Sequence, residues 1–570
     1  MKIISLIFFS IFLQLCTTYE EIDELLVEIN SGKILGRALV SNSGRTIRAF
    51  TGIPYAAPPI GNLRFKQAQK VTPWNNTFIA QNKPAKCLQF NPFIRSFVIE
   101  GQEDCLTLNV FAPQEIEGKK FPVIVWFHGG GWTRGDASPY GPEYLLDHDI
   151  ILVSGEYRVG ALGFLSSEDK NVPGNFGLKD QAFILKWVQE NIEKFGGDKN
   201  SVTIWGESAG GASIHYHMYS PMSRGLFHRA ISHSGSLYNC WSDPTRPGVA
   251  RKNFYRFAIE ADCAKSENDN TEEVADCMRK IEAEKLTEIS TRSYFWDNDP
   301  VVPLQPVIES FDMEEEPFIK ERTFANHSVH IPWLIGMNSE EGLLKVGAMF
   351  NDRNFLNELH QKWNEILPHS FYYDHLDNSQ QVEITKILNE FYFGNETLSE
   401  TTMSDPKGLI DMWTDGWFIG IFESLKYRFE NGARDNTFIF HFTHKSTASF
   451  SMANNFLGTC HVDDLIPLFQ LRKSFYYSSV PTRHDKELTE KMTKMWTNFA
   501  TFGNPTPENI LGIPQWPTIN NITSFKYLQI GNENGKTESL FQLKENYYIE
   551  RAELWMNLRN HFKLNSWESD

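Results

Sequence analysis

The segment Val202-Thr-Ile-Trp-Gly-Glu-Ser-Ala-Gly-Gly211 constrains this chain more than any other stretch. Val202 and Ile204, with Trp205 beside them, form an apolar, β-branched run of the kind that fills an interior strand of a parallel sheet. The run ends at Gly206, and small residues compatible with a helix follow at once. Between strand and helix lies Gly206-Glu207-Ser208-Ala209-Gly210, a match to G-x-S-x-G, the nucleophile elbow. A sharp strand-to-helix turn forces the serine backbone into a strained conformation. A Cβ two residues to either side would then collide with neighbouring backbone. Five residues alone are a weak pattern in a chain of 570, so the reading depends on partners for Ser208.

The surrounding pattern supplies the sheet. Short alternating runs broken by Ser-Gly and Asn-Ser-Gly turns, from Leu26 to Phe65, predict an antiparallel meander. Leu106–Phe111, Pro122–Phe127 and Asp149–Val153 read as interior strands, and Leu178–Phe195 has helical spacing that stops at Gly196-Gly197. Leu226–Ser232, Ile331–Ile335 and Thr437–Phe442 read as later strands. Strand, helix, then elbow strand is the rhythm of a parallel sheet with crossover helices. The fold class expected is therefore α/β, a central, mostly parallel sheet flanked by helices, with helical excursions above it. No clean linker divides the chain, so one catalytic domain is expected over 19–570.

A serine hydroxyl needs a base within hydrogen-bond reach, itself oriented by a carboxylate. In α/β-hydrolases the order along the chain is serine, acid, histidine, on loops at the C-terminal ends of strands. Two places fit: Gly336-Met-Asn-Ser-Glu340-Glu341-Gly342 and Gly458-Thr-Cys-His461-Val-Asp463-Asp464-Leu465. Pattern alone leaves Glu340 beside Glu341, and His128 beside His461. His215 and His217 stand two apart, so on a helix they share no face, and a metal role for them is not expected.

An ordered series of further landmarks runs almost end to end. It includes Phe50-Thr-Gly-Ile-Pro-Tyr-Ala56, Glu103-Asp-Cys-Leu-Thr-Leu-Asn109, His128-Gly-Gly-Gly-Trp132 and Tyr157-Arg-Val-Gly160. Gly174-Asn-Phe-Gly-Leu-Lys-Asp-Gln181, Phe195-Gly-Gly-Asp198, Ser220-Pro-Met-Ser-Arg-Gly-Leu-Phe227 and Ser232-His-Ser-Gly-Ser236 complete it. In these the chain resembles the type-B carboxylesterases of the cholinesterase-like α/β-hydrolase family, in particular secreted insect carboxylesterases and juvenile-hormone-esterase-like proteins. The resemblance implies a serine carboxylesterase with Ser208 as nucleophile, Glu341 as the acid and His461 as the base. It implies oxyanion donors at Gly130, Gly131 and Ala209, and no cofactor or metal. It further implies that Glu207 and Asp464 form an acidic pair restraining the base and that Ser234 supports the acid. Arg64 with Glu103, and Arg158 with Asp180, are implied as structural ion pairs.

Substrate signals are thinner. Cholinesterases carry a tryptophan between their first two cysteines to meet a quaternary ammonium. Cys87 to Cys105 holds only Phe90, Phe93 and Phe97, which disfavours a choline ester. The acyl-side wall is expected to involve Trp241 and Tyr294–Pro303, with Val302 where cholinesterases narrow the pocket with an aromatic. Juvenile-hormone esterases typically have Gln before the serine, whereas this chain has Glu207. An ester- or organophosphate-sequestering esterase and a hormone-ester hydrolase are the alternatives, ahead of a non-catalytic adhesion protein.

Compartment is read from the ends and the cysteines. Met1-Lys2 precedes an apolar run from Ile3 to Leu15, too short to span a bilayer and placed like a signal-peptide core. Residues 1–18 are expected to be that signal, cleaved after Thr17 or Thr18, and no later segment reaches transmembrane length. Local disulfides Cys87–Cys105 and Cys263–Cys277 suit an oxidising compartment, with Cys240 and Cys460 left open. Sequons at Asn75, Asn326, Asn395 and Asn521 agree with a secreted glycoprotein. The net charge of −17 argues against a nucleic-acid partner; a small-molecule ester is the partner expected.

Overall fold

The computed structural model describes residues 25–94, 96–115, 118–309, 316–321, 330–394, 406–433, 436–451, 458–475, 479–519, 521–522, 524–532 and 539–564. The leader 1–18, Asn326 and Asn395 lie outside them, as does the Phe97 side chain.

Eleven strands of the described residues form one sheet. In chain order they are β1 (Arg37–Val40), β2 (Thr46–Pro54), β3 (Thr107–Pro113), β4 (Phe121–Phe127), β5 (Ile151–Gly155) and β6 (Gly197–Glu207). The second half adds β7 (Arg229–His233), β8 (Trp333–Asn338), β9 (Thr437–Phe442), β10 (Lys526–Ile530) and β11 (Phe541–Glu545). Their order across the sheet is β11-β10-β9-β8-β7-β6-β4-β5-β3-β2-β1. From β5 through β10 every pairing is parallel. The flanks join through antiparallel pairs, β5 to β3 and on through β2 to β1, and β10 to β11.

The expected interior strands are all present, with small shifts at their ends. The strand read from Leu226 begins at Arg229, because Leu226 still closes a turn onto Ser223. The predicted helix starts at Phe176 (α1, Phe176–Asn191) and tightens to a 3₁₀ turn over Ile192–Phe195 before the glycine stop.

Burial explains why β6 reads as continuous rather than alternating. Residues 202–207 are all buried, with Val202 and Ile204 in one core and Trp205 in another on the opposite face. The first core packs α1 through Leu178 and Leu185. The second packs α4 (Arg483–Phe502) through Leu488, Met492, Trp496 and Phe499. A parallel sheet covered on both faces demands that apolar run. Two further helices bear on the site: α2 (Ala209–Tyr219), directly after β6, and α3 (Pro406–Glu430), a 25-residue excursion.

Disulfides join Cys87 to Cys105 and Cys263 to Cys277. Cys240, half-buried, and Cys460, buried, are unpaired thiols. Both implied structural ion pairs form: Arg64 Nε lies 2.5 Å from Glu103 Oε1, and Arg158 Nη2 2.7 Å from Asp180 Oδ1. Asn75 and Asn521 are exposed. Among the described residues no helix is long and apolar enough to cross a membrane.

Candidate active site

Strand β6 delivers Ser208 at its C-terminal end, and α2 begins at the next residue. Ser208 has φ 57° and ψ −123°, a conformation a non-glycine residue keeps only when its surroundings impose it, at about 1–3 kcal/mol. The flanking glycines are the imposition. A Cβ on Gly206 would sit 2.5 Å from the Gly210 carbonyl, and one on Gly210 would sit 2.2 Å from the Phe127 oxygen. Gly235 is a third: its Cβ would lie 2.0 Å from the Ser208 carbonyl oxygen. Gly235→Ala is therefore expected to destabilise the fold by roughly 1–3 kcal/mol or more through overpacking. Esterase activity should fall with it; an unchanged urea midpoint would contradict this.

The candidate acid and base stand on the two loops the sequence marks. Glu341 follows β8 and His461 lies in the loop between β9 and α4, and both are buried. Glu341 Oε2 pairs with His461 Nδ1 in a short contact. Its Oε1 accepts from the Ser234 hydroxyl at 2.5 Å and from the Asn338 amide at 2.6 Å. Glu340 points elsewhere, accepting from the Thr459 amide at 2.7 Å. His128 stays in its own loop, stacked on Tyr157 with centroids 4.3 Å apart. The geometry thus separates the candidates that pattern alone left side by side.

On its other edge the His461 ring meets Glu207, with Nε2 3.0 Å from Oε1. Burial pushes this imidazole down, but the Glu207 and Glu341 carboxylates more than offset it and raise its pKa to about 10. Burial in turn raises the Glu207 carboxyl, against the pull of His461. This double contact holds the ring well above the ordinary imidazole value near 6.5. Glu207→Gln removes one charge, so His461 should lose its extra proton at lower pH. The acid limb of kcat/KM is expected to move down by about 1–3 pH units, read from paired pH–rate profiles. A limb that stays put or moves up would contradict it.

Asp464 does not touch His461. Its Oδ2 lies 2.6 Å from His233 Nδ1, whose Nε2 accepts from Trp496, and its Oδ1 accepts from Asn338 Nδ2 at 3.2 Å. The implied acidic pair on the base is thus divided. Glu207 holds the ring directly, while Asp464 reaches it only through Asn338 and Glu341. Asn338, the last residue of β8, carries no sequence signal for its role, because nothing local shows that its side-chain amide bridges the Glu341 and Asp464 carboxylates.

The glycine run enters from β4. Gly130 and Gly131 have φ of 108° and 63°, and Ala209 is buried at the start of α2. A Cβ on Gly129 would meet Glu207 and, at 2.9 Å, the Ser208 Cβ, so this loop runs against the elbow. Near Gly131 stand Val302 Cγ2 and Phe93 Cζ, 3.6 and 3.9 Å from where a Cβ would be. The Val302 backbone is held by Tyr372, whose hydroxyl accepts from its amide at 2.8 Å. Trp241 is buried between Trp132 and Trp417, with centroids 6.2 and 6.3 Å away. Trp417, on α3, packs 4.9 Å from the His461 ring; sequence gave no sign of it, since it lies in an excursion with no motif. A cavity of about 590 Å³ shares Val302 and Tyr372 with this wall but includes none of Ser208, Glu341 and His461. His215 and His217 are core residues: His215 packs on Trp333, and His217 bonds Ser223 and Gln181.

A mostly parallel sheet with a serine at a strained turn after a central strand, and an acid and histidine after later strands, defines the α/β-hydrolase class. The chain belongs to the carboxylesterase family, whose model matches residues 23–555. It is 32% identical to the juvenile hormone esterase of Tribolium castaneum, over 93% of each chain. It is 36% identical to esterase FE4 of Myzus persicae, over 85% of each. Among solved structures it resembles the juvenile hormone esterase of Manduca sexta with OTFP covalently attached. That match has a TM-score of 0.79 and 27% identity, covering 94% of this chain and 99% of the other. The enzyme is a carboxylic ester hydrolase.

Proposed function

We propose that this enzyme hydrolyses carboxylic esters through an acyl-enzyme on Ser208, with His461 as base and Glu341 as the acid that orients it. The observation that carries this reading is the continuous run of contacts from Ser234 and Asn338 through Glu341 to His461, whose ring also meets Glu207, the residue before the serine of the strained turn. In the first half-reaction Ser208 Oγ bonds to the ester carbonyl carbon and its proton passes to His461. The carbonyl oxygen, now an oxyanion, takes the N–H groups of Gly130, Gly131 and Ala209, each worth about 3 kcal/mol of barrier. The C–O bond breaks and the alcohol departs with the proton from His461. Water, deprotonated by the same histidine, then releases the acid. Glu207 sets how readily His461 gives up its extra proton.

No tryptophan stands between Cys87 and Cys105 to meet a quaternary ammonium, and Val302 stands beside Gly131 where cholinesterases place an aromatic, which supports an uncharged ester with an acyl group larger than acetyl as the substrate class. Likeness to the juvenile hormone esterase of Tribolium castaneum favours a hormone-like ester as the second reading. The protein acts as one domain over 19–570 and is secreted after loss of residues 1–18. It carries glycans at Asn75 and Asn521, and at Asn326 and Asn395. Uncharged esters varied separately in acyl and alcohol size, assayed on the secreted protein, test the proposal. Sustained turnover that rises with acyl length supports it. A single burst without recovery would instead mark a sequestering esterase.

A further inference from the structure

Glu156 is a carboxylic acid buried at the end of β5, with 1% of its surface exposed, and no step above uses it. Its backbone is fixed on both sides: its amide donates to Thr107 at 2.9 Å and its carbonyl accepts from the Tyr55 hydroxyl at 2.8 Å. Its side chain faces the glycine loop that runs from His128 to Ala137. Oε1 accepts from the Ala137 amide at 2.9 Å, at the far end of that loop. Oε2 lies 3.9 Å from His128 Nε2, at the near end, and both atoms are buried without another hydrogen-bond partner.

The protonation states at this contact are complementary. His128 Nδ1 lies 2.9 Å from the Gly129 carbonyl. A carbonyl only accepts, so Nδ1 carries the hydrogen and Nε2 offers a lone pair. Burial lowers the His128 pKa to about 4, which keeps the ring neutral. Burial and then the nearby Asp136 raise the Glu156 carboxyl well above its ordinary range, against the Ala137 amide, Lys86 and Lys83. With Oε1 taking the Ala137 hydrogen, the acid proton belongs on Oε2, opposite the free lone pair of His128. At 3.9 Å the two atoms are in contact but beyond hydrogen-bond reach, so the bond to Ala137 carries the anchoring and His128 rests against the other oxygen.

Between these two anchors the loop is already braced. Thr133 and Arg134 amides donate to the Gly130 carbonyl at 3.1 and 3.2 Å. Gln89, inside the Cys87–Cys105 loop, exchanges two hydrogen bonds of 2.8 Å with Gly135. Tyr157, the residue after Glu156, donates to the His128 carbonyl at 2.6 Å. What these contacts lack is a single group that spans both ends of the loop, and Glu156 supplies it.

We propose that Glu156 is a positioning residue for ester hydrolysis, a buried carboxyl that holds Ala137 by a hydrogen bond and abuts His128, and so fixes the height of the Gly130 and Gly131 amides. The inference rests on the reading of those amides as oxyanion donors. An oxyanion develops only on the way to the transition state, so loosening the loop should lower kcat and spare KM. A misplacement of about 1 Å costs on the order of 100-fold.

The test compares three variants with the full-length secreted enzyme on an uncharged aryl ester. Glu156→Gln can accept from Ala137 and abut His128 as the neutral acid does, and should keep kcat within about threefold. Glu156→Ala should lose kcat about 100-fold with KM changed less than about threefold. Glu156→Asp, one methylene short of spanning both anchors, should lose about tenfold in the same way, and carries the comparison with Gln should the alanine variant not fold. Full kcat in Glu156→Asp, a Gln variant as weak as Asp, or losses confined to KM would each overturn the proposal. Ser208→Ala in the same assay separates the two readings. Turnover persisting there refutes the site itself, whereas a dead Ser208→Ala beside a fully active Glu156→Asp refutes only the role of Glu156.

Discussion

Ser208→Ala is expected to lower kcat for ester hydrolysis by roughly 10⁴- to 10⁶-fold, the loss seen when a serine triad is deprived of its nucleophile. The fold should survive, because the hydroxyl is not what holds the turn. Ser208 donates its amide to the His233 carbonyl at 2.9 Å and accepts the Ala212 amide at 2.9 Å. Both bonds belong to the backbone and persist in alanine. The strain persists as well, since any Cβ at φ 57° and ψ −123° meets the same crowding. Ser208→Gly makes the complementary case. It removes nucleophile and strain together, so it should be as inactive as the alanine variant yet about 1 kcal/mol more stable than it in urea unfolding, after the entropy cost of glycine is deducted. Measurable steady turnover in purified Ser208→Ala would remove Ser208 from the mechanism. A glycine variant less stable than alanine would show that the turn is not strained.

Glu341→Gln carries the second largest effect, a fall in kcat of about 10⁴-fold, and the reason lies in which oxygen does what. Oε1 accepts three hydrogens, from the Ser234 hydroxyl and from the backbone and side-chain amides of Asn338. Only the oxygen of a glutamine amide can take that place, which turns the NH₂ toward His461 Nδ1. The imidazole must then accept there, so its hydrogen moves to Nε2, and Nε2 can no longer take the serine proton. Removing Ser234's hydroxyl together with the charge should relax this constraint. Ser234→Ala in the Glu341→Gln background is expected to recover activity in part, because the shortest of the three hydrogen bonds that fix the amide is gone. Equal activity of Glu341→Gln and the parent would show that Glu341 does not set the tautomer.

Much of this site is legible in the chain because the elbow is local. Gly206, Ser208 and Gly210 lie within five residues, and the clash that makes them necessary involves backbone a few bonds away. The interior strands are equally legible, since a sheet covered on both faces requires continuous apolar runs such as 202–207. The acid and base loops are marked by their place after strands, but pattern does not choose Glu341 over Glu340. That choice depends on Ser234 and Asn338, 107 and 3 residues from Glu341, meeting one carboxyl oxygen.

Sequence by itself therefore determined the strands from Leu106 to Phe442, the elbow and the short list of acids and bases, because each is written in neighbouring residues. The last two strands, Lys526–Ile530 and Phe541–Glu545, carried no such signal. Tertiary structure alone decided the electrostatics. It sent Asp464 to His233 rather than to the base that Glu207 meets. It brought Trp417 onto the base from a distant helix, and it buried Glu156 against both ends of the glycine loop. Those outcomes depend on distance and burial, which pair residues far apart in the chain and set whether a carboxyl is charged.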